Sequence, residues 1–156
     1  MPVEQVIAGY LAAVADDLDA ARRLAAPPAN RLAAYHLQQA AEKLVKAVLV
    51  HRKIHPGVEH RIDVLVRMLD VSDPWLPQLD PLDRFTPYAT TYRYPSPTGR
   101  LRAGPDAANV LAEVADVQQL RFVSLSVLEE CARIEACTDV VVHGRGRAFQ
   151  QIPIPC

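Results

Sequence analysis

Gln39, Glu42 and Lys46 stand three and four residues apart, the spacing that stacks side chains on one face of a helix. An amide, an acid and a base in one row could border a cleft and be held there for a ligand or a partner. They could equally form a solvated face, where a Glu–Lys pair at i,i+4 contributes roughly 0.2–0.5 kcal/mol. Spacing alone leaves both open. His60 and Asp63 follow, again three residues apart. An acid in a first turn suits the positive end of a helix dipole, so Asp63 fits a helix start and His60 either flanks it or offers its imidazole to a site. Tyr92-Arg93-Tyr94-Pro95 is the third group. An arginine between aromatics can stack and make paired contacts to a carboxylate or phosphate, or it can close the C-terminus of a helix.

Other chemistries lack their residues. There is no GxGxxG, no GxxxxGK[ST] and no GxSxG, which removes self-contained dinucleotide, P-loop and serine-hydrolase sites. His51, His55 and His60 lie close in sequence, but their spacing crosses a helix end and a Pro-Gly turn, without the regular pattern a zinc site uses. No metal and no cofactor is expected. Cys131, Cys137 and Cys156 form no CxxC pair; buried or incidental thiols in a reducing cytoplasm account for them. The net charge is −1 and the isoelectric point near 6.5, so no overall field favours RNA or an anionic membrane. No signal-peptide pattern and no run of ~20 apolar residues is present.

The elements that must position these groups follow from periodicity. Val3, Ile7, Leu11, Val14, Leu18, Ala21 and Ala25 mark one buried stripe of a helix over about 3–26, stopped by Pro27-Pro28. Asn30 suits the N-cap of a second helix running to about Ile54, with Ala33, Leu37, Ala40, Leu44 and Val48 as its core seam. So short a connection predicts antiparallel packing. A third helix is predicted over His60–Asp70, with Ile62, Leu65, Val66 and Leu69 inward. Seven prolines between 74 and 105 allow only short turns, around Trp75–Leu79 and Leu82–Thr91. A last long helix runs from Pro105 to about Ala136 on a Val110, Val114, Val117, Leu120, Val123 stripe, continuing through Val127, Cys131 and Ile134. The fold class is therefore all-α: an antiparallel up-and-down bundle of four or five helices over residues 1–138, with an extended or β-prone C-terminal tail over 139–156.

Three blocks in this order resemble the HEPN domain family (higher eukaryote and prokaryote nucleotide-binding). They are Gln39, Ala40, Glu42, Lys43 and Lys46; His60 with Ile62 and Leu65; and Arg93, Tyr94 and Pro95. Arg61 stands where the family pattern usually has Asp. The resemblance spans about residues 30–95 and implies a helical bundle, homodimerisation, a bacterial or archaeal cytoplasm, and partnership with a small nucleotidyltransferase in toxin–antitoxin or stress systems. Many members are metal-independent ribonucleases, with Arg followed after four to six residues by His near the start of the final long helix.

This chain departs there. Arg121 and Arg133 lie in the final helix, but the next histidine is His143. Arg31 and His36 have the spacing but sit in the second helix, and in a chain this rich in arginine one such pair arises by chance. The resemblance thus points to a non-catalytic, nucleotide- or substrate-binding member, with Lys46, His60 and Arg93 on phosphates, Tyr94 stacking, and Gln39 and Glu42 orienting the basic groups or reading a hydroxyl. RNA is not favoured as the ligand. Two alternatives stay open: a ribonuclease in which His143 works with Arg133 or Arg145, and a structural dimerisation module whose polar row sets helix register.

Overall fold

The computed structural model describes residues 2–26 and 30–141, with the side chains of the last helix described through residue 126. Helix α1 spans Val3–Leu24 and α2 Leu32–His51. Short helices α3 (Ile62–Val66), α4 (Leu76–Leu79) and α5 (Tyr88–Thr91) follow, with a 3₁₀ turn over Asp80–Phe85 between α4 and α5. Helix α6 runs over Ala107–Val141. The architecture is an all-helical bundle with no strand among the described residues.

Helices α1 and α2 are antiparallel: Asp17 meets His36 and Lys43 near the connection, while Val3 and Val6 lie beside Val50 and Ile54 at the far end. The predicted α1 stripe is buried from Ile7 to Ala25, while Val3 is exposed. Helix α2 differs from the expected bundle helix. It packs against α1, α3, α5, α6 and the 3₁₀ turn, and its buried residues cover most of its circumference, leaving one half-buried strip at His36, Gln39, Lys43 and Val50. A helix covered so widely is a central helix whose wet face is reduced to that strip. Its alanines, among them Ala33, Ala34, Ala40, Ala41 and Ala47, are fully buried and let the neighbouring helices approach closely.

Helix ends follow local chemistry. Asn30 Oδ1 accepts the Leu32 N–H at 2.9 Å, so the predicted cap forms, although the helix proper begins two residues later. Its end comes at His51, three residues before the expected Ile54. Lys53 N–H reaches Val50 O and Ile54 N–H reaches Leu49 O, both at 2.9 Å, the paired bonds of a Schellman stop. That stop places Lys53 at φ 59°, a left-handed conformation that costs an L-residue roughly 1–2 kcal/mol and glycine almost nothing. Helix α3 is shorter than predicted. Met68 N–H bonds Leu65 O and Leu69 N–H bonds Val66 O, and these i→i−3 bonds tighten and close the helix at Val66, while Leu69 is still buried. Asp106 Oδ1 accepts the N–H groups of Ala108 and Asn109 and caps α6, which starts just after Pro105.

Against α1 and α2, α6 buries Val110, Val114, Val117 and Ser124, with Leu120 and Val123 partly buried. Arg121 Nε donates to Leu11 O at 2.9 Å and fastens α6 to the middle of α1. The helix continues to Val141, past its predicted end at Ala136 and three residues into the predicted tail. The rest of that tail, 142–156, lies outside the described residues, as do the side chains of Val127, Cys131 and Ile134.

Candidate functional site

Two of the three residues of the row predicted on α2 are interior. Glu42 is 3% exposed and Lys46 7%, which overturns the solvated-face alternative for this pair, while Gln39 is half-buried on the strip that α2 keeps toward solvent. Lys46 Nζ donates to Glu42 Oε1 at 2.9 Å. His60, just before α3, donates from Nδ1 to the same oxygen at 2.9 Å while most of its ring stays in solvent. Glu42 Oε2 accepts from Gln38 Nε2 at 3.1 Å. Glu42 is therefore a hub whose two oxygens collect a buried ammonium, an exposed imidazole and a buried amide.

Gln38 was not among the predicted site residues. It is 1% exposed and stands one helical repeat before Glu42, so that Gln38, Glu42 and Lys46 form an i, i+4, i+8 row. That spacing was the signal available for it. Gln39 lies on the neighbouring row: its Nε2 donates to Gln38 Oε1 at 2.7 Å, and its Oε1 accepts a long 3.5 Å contact from Lys43 Nζ. Lys43 also donates to Asp17 of α1, whose other oxygen meets His36 Nδ1 at 2.9 Å. The edge of the Tyr35 ring packs on His36 with centroids 5.4 Å apart.

Arg93, two residues beyond α5, places its guanidinium 5.0 Å from the Tyr35 ring centroid and 5.5 Å from that of Tyr94. Cation–π stacking holds the group at such distances without using any of its N–H donors. No hydrogen bond or ion pair to the Arg93 side chain is present among the described residues, and both Arg93 and Tyr94 are exposed. The helix-closing alternative for Arg93 is thus not what its side chain does.

All six predicted residues consequently lie along one chain of contacts. It runs from Arg93 and Tyr94 through Tyr35, His36, Asp17, Lys43, Gln39 and Gln38 to Glu42, Lys46 and His60. Charges inside it largely cancel, Asp17 against Lys43 and Glu42 against Lys46. Its exposed members are the imidazole of His60 at one end and Arg93 with Tyr94 at the other.

The approach to His60 is itself held by charge. Arg61 stands at the acidic position of the expected pattern and donates from Nε and Nη2 to Asp63 at 3.1 and 2.8 Å, with Arg67 3.4 Å away. Desolvation opposes the Asp63 charge, but the Arg61 hydrogen bond and the two guanidinium charges outweigh it and hold the carboxyl below its usual range. Backbone N–H groups of Arg61 and His60 do the same for Glu59.

A second polar contact joins α5 to α6. Tyr88 donates its hydroxyl to Glu113 Oε1 at 3.3 Å, and Glu113 Oε2 is buried without a partner. Burial pushes the Glu113 carboxyl upward, against the pull of the Arg84 charge and the Tyr88 hydrogen bond. Tyr88 also packs edge-on to Tyr92.

Among the described residues no group of three or more His, Cys, Asp or Glu could hold a metal ion, and no helix is long and apolar enough to cross a membrane. Arg31 and His36 are occupied differently: His36 is bound to Asp17, and Arg31 Nε is buried without a hydrogen-bond partner. His143 and Arg145, and the side chain of Arg133, lie outside the described residues. A family model described as HEPN domain matches residues 12–122. No curated protein and no solved structure matches the chain.

Proposed function

The chain belongs to the HEPN domain family, and on that premise we propose that it is a non-catalytic nucleotide- or substrate-binding protein that works beside a minimal nucleotidyltransferase, in a bacterial toxin–antitoxin or stress-related system. It acts in the cytoplasm as a homodimer. The observation that carries the reading is Arg93: a guanidinium fixed over two tyrosine rings with every donor unspent. A phosphate presents the oxygen spacing such a fork matches, and Tyr94, 56% exposed, offers a face for a base. Lys46 is committed to Glu42 inside the bundle, so the phosphate contact falls to Arg93, and the buried row serves to hold His60 and the α2 face in register.

The test is titration calorimetry of the protein with ATP and with GTP, alone and with its purified nucleotidyltransferase partner. Wild type is expected to bind. Arg93→Ala should weaken binding about tenfold or more, since a charged hydrogen-bonded contact contributes ~1.5–3 kcal/mol. No binding by the wild type under either condition sinks the proposal, and so does an unchanged affinity in Arg93→Ala.

A further inference from the structure

The start of α1 and the end of α2 line an open cleft of about 510 Å³, within the volume range of small-molecule sites; it begins one helical turn beyond Lys46 on α2. Tyr35 and Val50 are separated by about 22 Å along the α2 axis at ~1.5 Å per residue, so this cleft is separate from the Arg93 surface. Val3, Val6, Tyr10, Val50 and Ile54 give it apolar walls, and Lys53 and His55 stand among the lining residues. Among the described residues no carboxylate lines it.

Two local features arm it toward an anion. His55 Nδ1 accepts the Gly57 N–H at 3.0 Å, so the ring's proton sits on Nε2, which is left as a donor. Lys53 carries the charge, and it does so from the left-handed backbone of the Schellman stop, a position where glycine would be relaxed. Strain kept at a cleft wall is a recurring mark of ligand-holding residues. No ion pair or hydrogen bond engages the Lys53 ammonium among the described residues.

We propose that this cleft binds a small amphiphilic carboxylate, with its apolar body against Val6, Tyr10, Val50 and Ile54 and its two oxygens on Lys53 Nζ and His55 Nε2. The walls and the cation each demand one half of such a molecule. A purely apolar ligand would leave the ammonium stranded, and a small hydrophilic anion would leave the walls wet.

Decanoate is the probe, with decanol as its uncharged counterpart, both followed by methyl and tyrosine chemical shifts of the full chain. Decanoate should shift Val6, Tyr10, Val50 and Ile54 and bind about tenfold more tightly than decanol. Lys53→Gly separates the charge from the fold: it removes the cation and relaxes the backbone, so thermal stability should rise by a few degrees while decanoate affinity falls about tenfold. Lys53→Arg should retain binding. If wild type shows no shifts at these residues, binds decanol as well as decanoate, or loses nothing in Lys53→Gly, the proposal is overturned. Arg93→Ala should leave decanoate binding unchanged, so failure here is distinct from failure of nucleotide binding.

Discussion

Replacing Glu42 with Gln tests whether its charge holds the α2 row together. The side chain keeps its size, but the hub loses its charge and one acceptor. Glu42 Oε1 now accepts from Lys46 and His60, and Oε2 accepts from Gln38. An amide can satisfy only one side: turned either way, its NH₂ meets a donor, Gln38 Nε2 or the Lys46 ammonium. Lys46, 7% exposed, is then a buried cation without a counter-charge. Stranding one partner of a buried pair costs ~3–5 kcal/mol, and the flexible lysine stem recovers part by reaching for water. About 3 kcal/mol is therefore expected, a fall in thermal midpoint of roughly 6–12 °C for a chain of this size. Lys46→Met should cost much less, about 1 kcal/mol, because Glu42 keeps Gln38 and the solvated His60 as partners. In the double variant no charge is stranded, so its loss should be smaller than that of Glu42→Gln alone, with a coupling of about 2 kcal/mol. Urea unfolding followed by circular dichroism measures all four corners. Additive losses, or a Glu42→Gln loss under ~0.5 kcal/mol, the ordinary level for a surface change, refute a buried charged hub.

Two further expectations concern acid. The Asp63 carboxyl lies below its ordinary value of 3.8 in the folded protein, so its contribution is present above the unfolded value and lost as pH falls through the folded one. Asp63→Asn should remove that contribution at neutral pH and flatten the acid limb of a stability-versus-pH curve; an unchanged limb would show that the Arg61 and Arg67 contacts do not persist in solution. Glu113 shifts the opposite way, its carboxyl raised from 4.5 by burial, so stability declines as pH rises from the unfolded value through the folded one. Glu113→Gln keeps an acceptor for Tyr88 and should raise the denaturation midpoint at neutral pH but not at low pH; a loss at neutral pH contradicts the assignment.

The helical elements were legible because each carries its own signal. The α1 stripe, the Asn30 cap and the valine ladder of α6 are local patterns, and the structure realises them within a few residues. The exact ends were set by backbone bonds that composition does not reveal, such as the i→i−3 pair that stops α3 and the Schellman bonds that place Lys53. The burial of Glu42 and Lys46 was not legible from spacing, because the same i,i+4 pair suits a wet face equally well. What decides it is how many neighbours α2 has, and that depends on the short elements between residues 62 and 91 folding back over it. Gln38 was hidden for the same reason. Tyr35 and Arg93 are 58 positions apart, and no local pattern pairs them.

Stability alone does not account for the α2 row. Apolar residues of similar volume at Gln38, Glu42 and Lys46 would fill the same space without desolvating two charges, and such replacements are commonly neutral or favourable by ~1–4 kcal/mol. A row that merely set helix register would need no exposed member. Here the buried carboxylate reaches outward to His60, whose side chain is 76% exposed, and fixes which imidazole nitrogen faces inward. Nδ1 is spent on Glu42, so Nε2 is the atom presented to solvent. At the other end Tyr35 fixes a guanidinium and consumes none of its donors. Both exposed groups are thus oriented by partners that leave their outward atoms free, the arrangement that the proposed binding role requires.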